Sequence, residues 1–171
     1  MRCPNCFGTM TRMTLDARPG AVTNLNTVDI DVCMGCQAFW FDLHESIVLS
    51  QGSSLKLMKM ISEQSSPANA VKPELLKCPH CFGHLPLIHD LQGNTRFSYW
   101  RCEQHGRFIG FLDFLREKSF IHTLSKEEMD ELRQKIQTVN CSNCGAAIDL
   151  TKSSVCEHCG SPISMMDLKQ V

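Results

Sequence analysis

The sequence has no apolar run approaching the roughly 18 residues that a membrane-crossing helix requires, and no apolar leader near its start, where Met1-Arg2 runs straight into Cys3. Secretion and membrane spanning are therefore not expected. It also lacks an excess of charge of either sign: 17 Lys and Arg stand against 18 Asp and Glu, a formal net charge of -1. General phosphate-backbone binding, which needs clustered Lys and Arg in excess, gains no support from that balance. Aromatic side chains are few, with one Tyr, two Trp and nine Phe in 171 residues. Apart from cysteine, the composition is unremarkable.

The chain has eleven cysteines. Together with His105 they fall into three sets of four: Cys3, Cys6, Cys33 and Cys36; Cys78, Cys81, Cys102 and His105; Cys141, Cys144, Cys156 and Cys159. Every half-site is C-x-x-C or C-x-x-H, so two side chains from one tight turn can face one ion and a second pair can return after a hairpin to complete a tetrahedron. The spacing thus predicts three zinc ribbons and three Zn²⁺ ions. Iron in the all-cysteine sets is the alternative, and it would show as colour. The odd cysteine total and the C-x-x-C pairing argue against a disulfide scaffold and point to a reducing cytoplasm. Counting eleven thiolates and three Zn²⁺, the loaded chain would carry a net charge of roughly -6.

The sets divide the chain into units too small for a sufficient apolar core, so metal is expected to supply the missing stability. The expected fold is a small metal-stabilised α+β chain: three zinc ribbons, each a β-hairpin with zinc knuckles, joined by short helices. Residues 1–50 form ribbon 1 with a following helix, 51–76 a helix and linker, and 77–122 ribbon 2 with a following helix. Residues 123–138 form an amphipathic helix and 139–171 the C-terminal ribbon.

The first two units are an internal repeat. Arg2-Cys-Pro-Asn-Cys-Phe-Gly8 matches Lys77-Cys-Pro-His-Cys-Phe-Gly83, which sets His105 opposite Cys36 and Phe108 opposite Phe39. Strands are expected over 9–15 and 27–32, with a loop at Arg18-Pro19-Gly20, and over 85–91 and 95–100 around Gln92-Gly93-Asn94. Asp42 with Glu45 reads as a capping box, and Asp113 as a cap with Arg116 in place of the box glutamate. The first helix is expected to break at Gly52 and run through Leu55 to Gln64, before a linker at Ser65-Ser66-Pro67-Ala68-Asn69. Ser125 with Glu128 is a second capping box, with Leu124 and Met129 as a hydrophobic staple. Met129, Leu132, Ile136 and Val139 then make an apolar stripe that should dock on a neighbouring ribbon, a short dimer seam being the alternative. Gly145 and Gly160, each directly after a second cysteine, suit left-handed backbone.

His80 and His84 compete locally with His105. His80 lies between two ligands, where a side chain points away from the ion, and the repeat alignment favours His105. His44, His89, His122 and His158 read as surface or packing residues. Four protein ligands per ion leave no place for water, so catalysis is not expected. Phe39-Trp40-Phe41 is the densest aromatic run. Ribbon packing explains it and its echo at Tyr99-Trp100, the alternative being an exposed partner-binding face. Tyr99 and Trp100 with Arg96, Arg101 and Arg107 also suit base stacking, which makes the second ribbon the best nucleic-acid candidate. The segment 55–61, with Lys56 and Lys59 among apolar residues, should dock on its own protein or touch a partner.

The pattern Cys3-Pro4-x-Cys6 through Cys33-x-x-Cys36-x-x-x-Trp40-Phe41-Asp42-x-x-Glu45 resembles the transcription-factor-IIB-like zinc-ribbon family of small bacterial proteins, over residues 1 to about 50. Residues 77 to about 120 resemble a diverged second copy, with His105 for cysteine, Ile109 at the place of Trp40, and a displaced Asp113. Residues 139–165 are similar to a generic bacterial zinc-ribbon tail, carrying Cys144-Gly-Ala-Ala-Ile-Asp149 and Cys159-Gly-Ser-Pro-Ile163. The resemblance implies zinc binding and a ribbon fold, and the family's name points towards transcription. The expected function is that of a non-enzymatic adaptor for protein partners. The alternatives are a nucleic-acid-binding transcriptional regulator and intracellular zinc handling.

Overall fold

The computed structural model describes residues 1–21, 26–64, 68–141 and 144–166. The strands are β1 (Thr11–Asp16), β2 (Thr27–Cys33), β3 (Ala38–Asp42), β4 (Leu87–Gln92), β5 (Thr95–Cys102), β6 (Gly106–Gly110), β7 (Ile121–Thr123), β8 (Thr138–Asn140), β9 (Ala147–Asp149) and β10 (Ser164–Met166). The helices are α1 (Glu45–Val48), α2 (Gln51–Ser62), α3 (Phe111–Glu117) and α4 (Lys126–Lys135). The chain groups into two compact units, Met1–Asp90 with Phe97–Phe114, and Leu91–Arg96 with Leu115–Val171. No helix among the described residues is long and apolar enough to cross a membrane.

The first two ribbons build one sheet, in the order β1-β2-β3-β6-β5-β4. The central strand β3 is buried from Ala38 to Phe41 because both faces of the sheet are covered, so its sequence is a continuous apolar run and not an alternation. On one face Phe39 and Phe41 meet Phe114, at ring-centroid distances of 4.9 and 5.8 Å. On the other, Trp40 and Phe108 pack with Cys3, Cys33, Cys36 and Cys78. Phe39, Trp40 and Phe41 are therefore core, and the alternative of an exposed aromatic face does not hold for them.

The register also corrects the alignment of the repeat. Cys33 pairs with Ala38 across the first ribbon's turn but Cys102 with Gly106 across the second, so the second turn is one residue shorter. In the longer turn Gln37 sits at φ 47°. Superposed on strands, Phe108 and not Ile109 stands at the place of Trp40, and Phe39 corresponds to Arg107. Trp40 and Phe108 are direct partners across β3 and β6, flanked by Ala38 opposite Gly110 and Asp42 opposite Gly106. Ala38 corresponds to Gly106 and Asp42 to Gly110, so the two flanking pairs are one pairing with the copies exchanged, which is the register of a two-fold-related, isologous pair.

Capping departs from expectation at both early helices. Glu45 does accept the Asp42 N–H at 2.7 Å, but the Asp42 carboxylate is engaged by Trp40 Nε1 at 2.7 Å, and α1 starts from His44 in left-handed backbone. Asp113 lies inside α3, where its carboxylate accepts the Ser98 N–H at 3.2 Å. The break between α1 and α2 falls at Leu49-Ser50, not Gly52, because the Ser50 hydroxyl caps a fresh helix by accepting the Ser53 N–H at 3.1 Å. That helix turns Leu57 and Ile61 inward while Lys56 pairs with Asp16, so the 55–61 segment docks on its own protein. Ser65, Ser66 and Pro67 of the expected linker lie outside the described residues. Asn69, at its end, is tied down by its N–H to the Gly35 carbonyl at 2.8 Å.

In the second unit the capping box at Ser125 and Glu128 forms in both directions. The helix ends at Lys135, so of the expected stripe Ile136 is an exposed cap and Val139 belongs to β8. Met129, with Leu124 and Leu132 beside it, packs on Cys141, Ile148, Leu150, Cys156 and Ile163, so the stripe docks on the tail ribbon. β8 pairs with β9, and β10 pairs with β7. Removing the cap with Ser125→Ala should cost about 1 kcal/mol, read as a lower denaturation midpoint of this unit.

Candidate metal centres

Four knuckles of one design present eight of the twelve ligands, and the turns between β2 and β3 and between β5 and β6 present Cys33, Cys36, Cys102 and His105. In the first knuckle, the Cys3 N–H donates to the Gly8 carbonyl at 2.8 Å and the Phe7 N–H to the Cys3 carbonyl at 3.1 Å. The same pair of bonds recurs from Cys78 and Phe82, from Cys141 and Gly145, and from Cys156 and Gly160. The turn drives the residue after the second cysteine into left-handed backbone, at φ 60° for Phe7, 59° for Phe82, 76° for Gly145 and 70° for Gly160. Glycine meets that demand in the tail ribbon as expected. In the repeat a phenylalanine meets it, and both rings stand out in solvent, 55% and 73% exposed. The sequence carried this signal in the duplicated C-P-x-C-F-G, where Phe occupies the glycine position of the tail knuckles.

The structure brings each expected ligand set together. Within each of the three, the ligand atoms lie inside 4.8 Å of one another. A tetrahedral ion with bonds of about 2.3 Å to sulfur requires sulfurs about 3.8 Å apart. The observed separations are 3.8 Å for Cys3 to Cys36, 3.6 Å for Cys6 to Cys33, 3.7 Å for Cys81 to Cys102, and 3.6 Å for both Cys141 to Cys159 and Cys144 to Cys156. These are far longer than the roughly 2.05 Å of a disulfide. His105 presents Nδ1, 3.4 Å from the Cys102 sulfur, near the 3.6 Å or so that a mixed sulfur–nitrogen edge requires. His80 and His84 lie outside the set.

Charge explains why such sets call for a cation. Hydrogen bonding from Cys3 holds the Cys33 thiol down at about 5, while that same bond and burial push Cys3 well above its ordinary value. Burial raises Cys36 and Cys78 to about 11. Clustered thiols thus share few negative charges among themselves, and a divalent ion is what lets all of them ionise.

Two asparagines that the sequence reading passed over support the first centre. Asn5 Nδ2 donates to the Cys36 sulfur at 3.3 Å and to the Ala70 carbonyl at 3.1 Å, and its Oδ1 accepts the Lys72 N–H at 3.0 Å. Asn69 Nδ2 reaches the same sulfur at 3.9 Å. Neither is detectable from ligand spacing.

The residues weighed as a partner face divide by exposure. Arg96 and Arg101 are exposed and Trp100 and Arg107 half-buried, while Tyr99 is buried. The Arg107 guanidinium lies 4.8 Å from the centre of the Tyr99 ring. The ring expected to stack a base is therefore already covered. Arg101 and Arg107 are direct cross-strand neighbours.

Burial pushes the Glu45 carboxyl up to about 7, with Asp42 and Asp31 adding repulsion. The folded chain then keeps a proton that the unfolded chain releases from its ordinary value of 4.5 upward. Stability from this group is full below the lower value and falls as pH rises to about 7. Glu45→Gln retains an acceptor for the Asp42 N–H and should raise the denaturation midpoint at pH 8, the gain shrinking towards zero near pH 5. A gain equal at both pH values would contradict this origin.

No model of a known protein family, no characterised protein and no solved structure matches the chain.

Proposed function

We propose that this chain is a zinc-binding, non-enzymatic adaptor that presents apolar side chains to a protein partner. The observation that carries the reading is the pair Phe7 and Phe82, held outward at φ 60° and 59° where the tail ribbon has glycine. A bulky residue in that conformation costs about 1–2 kcal/mol relative to glycine, and one left largely in solvent recovers little of it by packing. Binding a partner is the use that compensates such a position. Zinc is favoured by the sulfur separations, and a non-catalytic role by ligand sets that are complete without water. The resemblance to transcription-factor-IIB-like ribbons makes the transcription machinery the first place to look for that partner.

The test separates stability from binding. Native mass spectrometry of the wild type should count three zinc ions. Phe7→Gly with Phe82→Gly should leave that count unchanged and raise stability by about 1 kcal/mol per site. It should also abolish capture of stoichiometric protein partners from nuclease-treated extract. Partners retained by the double variant would refute the assignment of this face.

The rival is nucleic-acid binding through Arg96 and Arg101, for which their exposure on β5 beside half-buried Trp100 speaks. It predicts capture that collapses under nuclease and affinity that falls steeply with salt. Zinc handling predicts instead that a weak chelator removes at least one ion.

A further inference from the structure

We propose that His80 is a positioning residue for the His105 ligand and that, through it, the two centres of the first unit take up metal as a coupled pair. The proposal rests on the zinc reading above. The His80 ring lies over the His105 ring, centroids 5.1 Å apart and planes within 15°. Its Nε2 is directed elsewhere, 3.4 Å from Asp42 Oδ1. That same oxygen accepts the Trp40 Nε1–H at 2.7 Å, and Trp40 is packed in the cluster that contains Cys3, Cys33, Cys36 and Cys78. A continuous set of contacts thus runs from the fourth ligand of the second centre to the core around the first.

The repeat supplies a second instance of the same relation. Asn5 and His80 occupy the same place in their knuckles, and each touches the fourth ligand of its own copy: Asn5 donates to the Cys36 sulfur at 3.3 Å, and His80 stacks on His105. Each residue type suits its ligand. An amide N–H hydrogen-bonds to a thiolate, whereas a flat ring fixes the plane of an imidazole whose Nδ1 must face the ion. Where the ligand differs between copies, its supporting residue differs with it. Because ligands of both centres line one apolar cluster, ordering either set orders part of the other, and metal binding is coupled to folding.

The experiment is a cobalt(II) titration of the metal-free full-length chain under reducing conditions. Absorption follows the mixed sulfur–nitrogen centre, which absorbs at wavelengths different from an all-thiolate one. Fluorescence is read in a Trp100→Phe background, because Trp100 stands two residues from the ligand Cys102, so that the signal follows Trp40 in the core around the first centre. In the wild type, the mixed-centre band and the fluorescence change should rise together. In His80→Ala the band should need about 10–100-fold more cobalt and separate from the fluorescence change, which stays with the first centre. His80→Phe, which keeps a flat ring without the Asp42 link, should hold the mixed centre within a few-fold of wild-type affinity while the two signals still separate. The proposal is overturned if His80→Ala titrates like the wild type, if His80→Phe binds as weakly as His80→Ala, or if the wild-type signals already rise apart. Absence of the mixed-centre band in every protein, wild type included, would instead bring down the metal reading itself.

Discussion

Gly106→Ala is expected to cost the first unit about 3–5 kcal/mol and to lower its melting temperature by roughly 12–25 °C. Gly106 opens β6 at φ 135°, and a Cβ there would stand 2.1 Å from the Phe41 carbonyl oxygen and 2.8 Å from Asp42 Cα. Both obstacles are backbone. They belong to a strand held between β2 and β6, with Phe41 fully buried, so neither can retreat without opening the ribbon-to-ribbon pairing. Gly110→Ala is the matched control at the other end of the same strand, since nothing lies within 4 Å of its added methyl. A melt of Gly106→Ala that matched the control would contradict the register of β3 against β6.

The second large effect follows from the division of the buried ligands between two apolar clusters. Metal-ligand loss should act on one unit at a time, because Cys33 lies in the cluster with Trp40 and Cys78, and Cys156 in the cluster with Met129 and Ile148. Cys33→Ala is expected to unfold the first unit and abolish the environment of both tryptophans. Cys156→Ala should leave tryptophan fluorescence unchanged while helix α4 loses its support, read as a fall in far-ultraviolet helical signal. On the zinc reading proposed above the magnitude is large in each case, since a structural zinc contributes on the order of 10–16 kcal/mol in small peptides near neutral pH, more than most domains have to lose. Tryptophan fluorescence that collapses in Cys156→Ala would show that the two cores are not separate.

The ligand sets were legible because a tight turn leaves a local signature, two ligands three apart, and His105 because the repeat aligned it with Cys36. The Ser125 cap was legible for the same reason, a short-range pattern with one physical solution. What could not be read was long-range. Nothing in Ala38–Asp42 or Gly106–Gly110 states that these strands pair with each other, and only that pairing explains why Phe39, Trp40 and Phe41 are all buried. The one-residue difference between the two turns was hidden for a related reason. Spacing within the second ligand pair is the same in the two copies, so counting from Cys36 and His105 gives no hint that Gln37 is an extra residue in left-handed backbone. Asp42 misled because its carboxylate met two demands, a helix cap and the indole of Trp40, and the buried N–H prevailed.

The isologous pairing of β3 with β6 makes the first unit, in effect, a dimer assembled on one chain. Two separate ribbons joined through that strand would associate according to their concentration, and each would present an open edge with Trp40 or Phe108 beside it whenever they parted. Tethering replaces that equilibrium with an intramolecular one, for which linked segments see effective concentrations in the millimolar range. It also releases the halves from sequence identity: Trp40 can face Phe108, Asp42 can face Gly106, and one centre can carry histidine while the other keeps cysteine. Such asymmetry is closed to a true homodimer, in which any change made for one half is imposed on both.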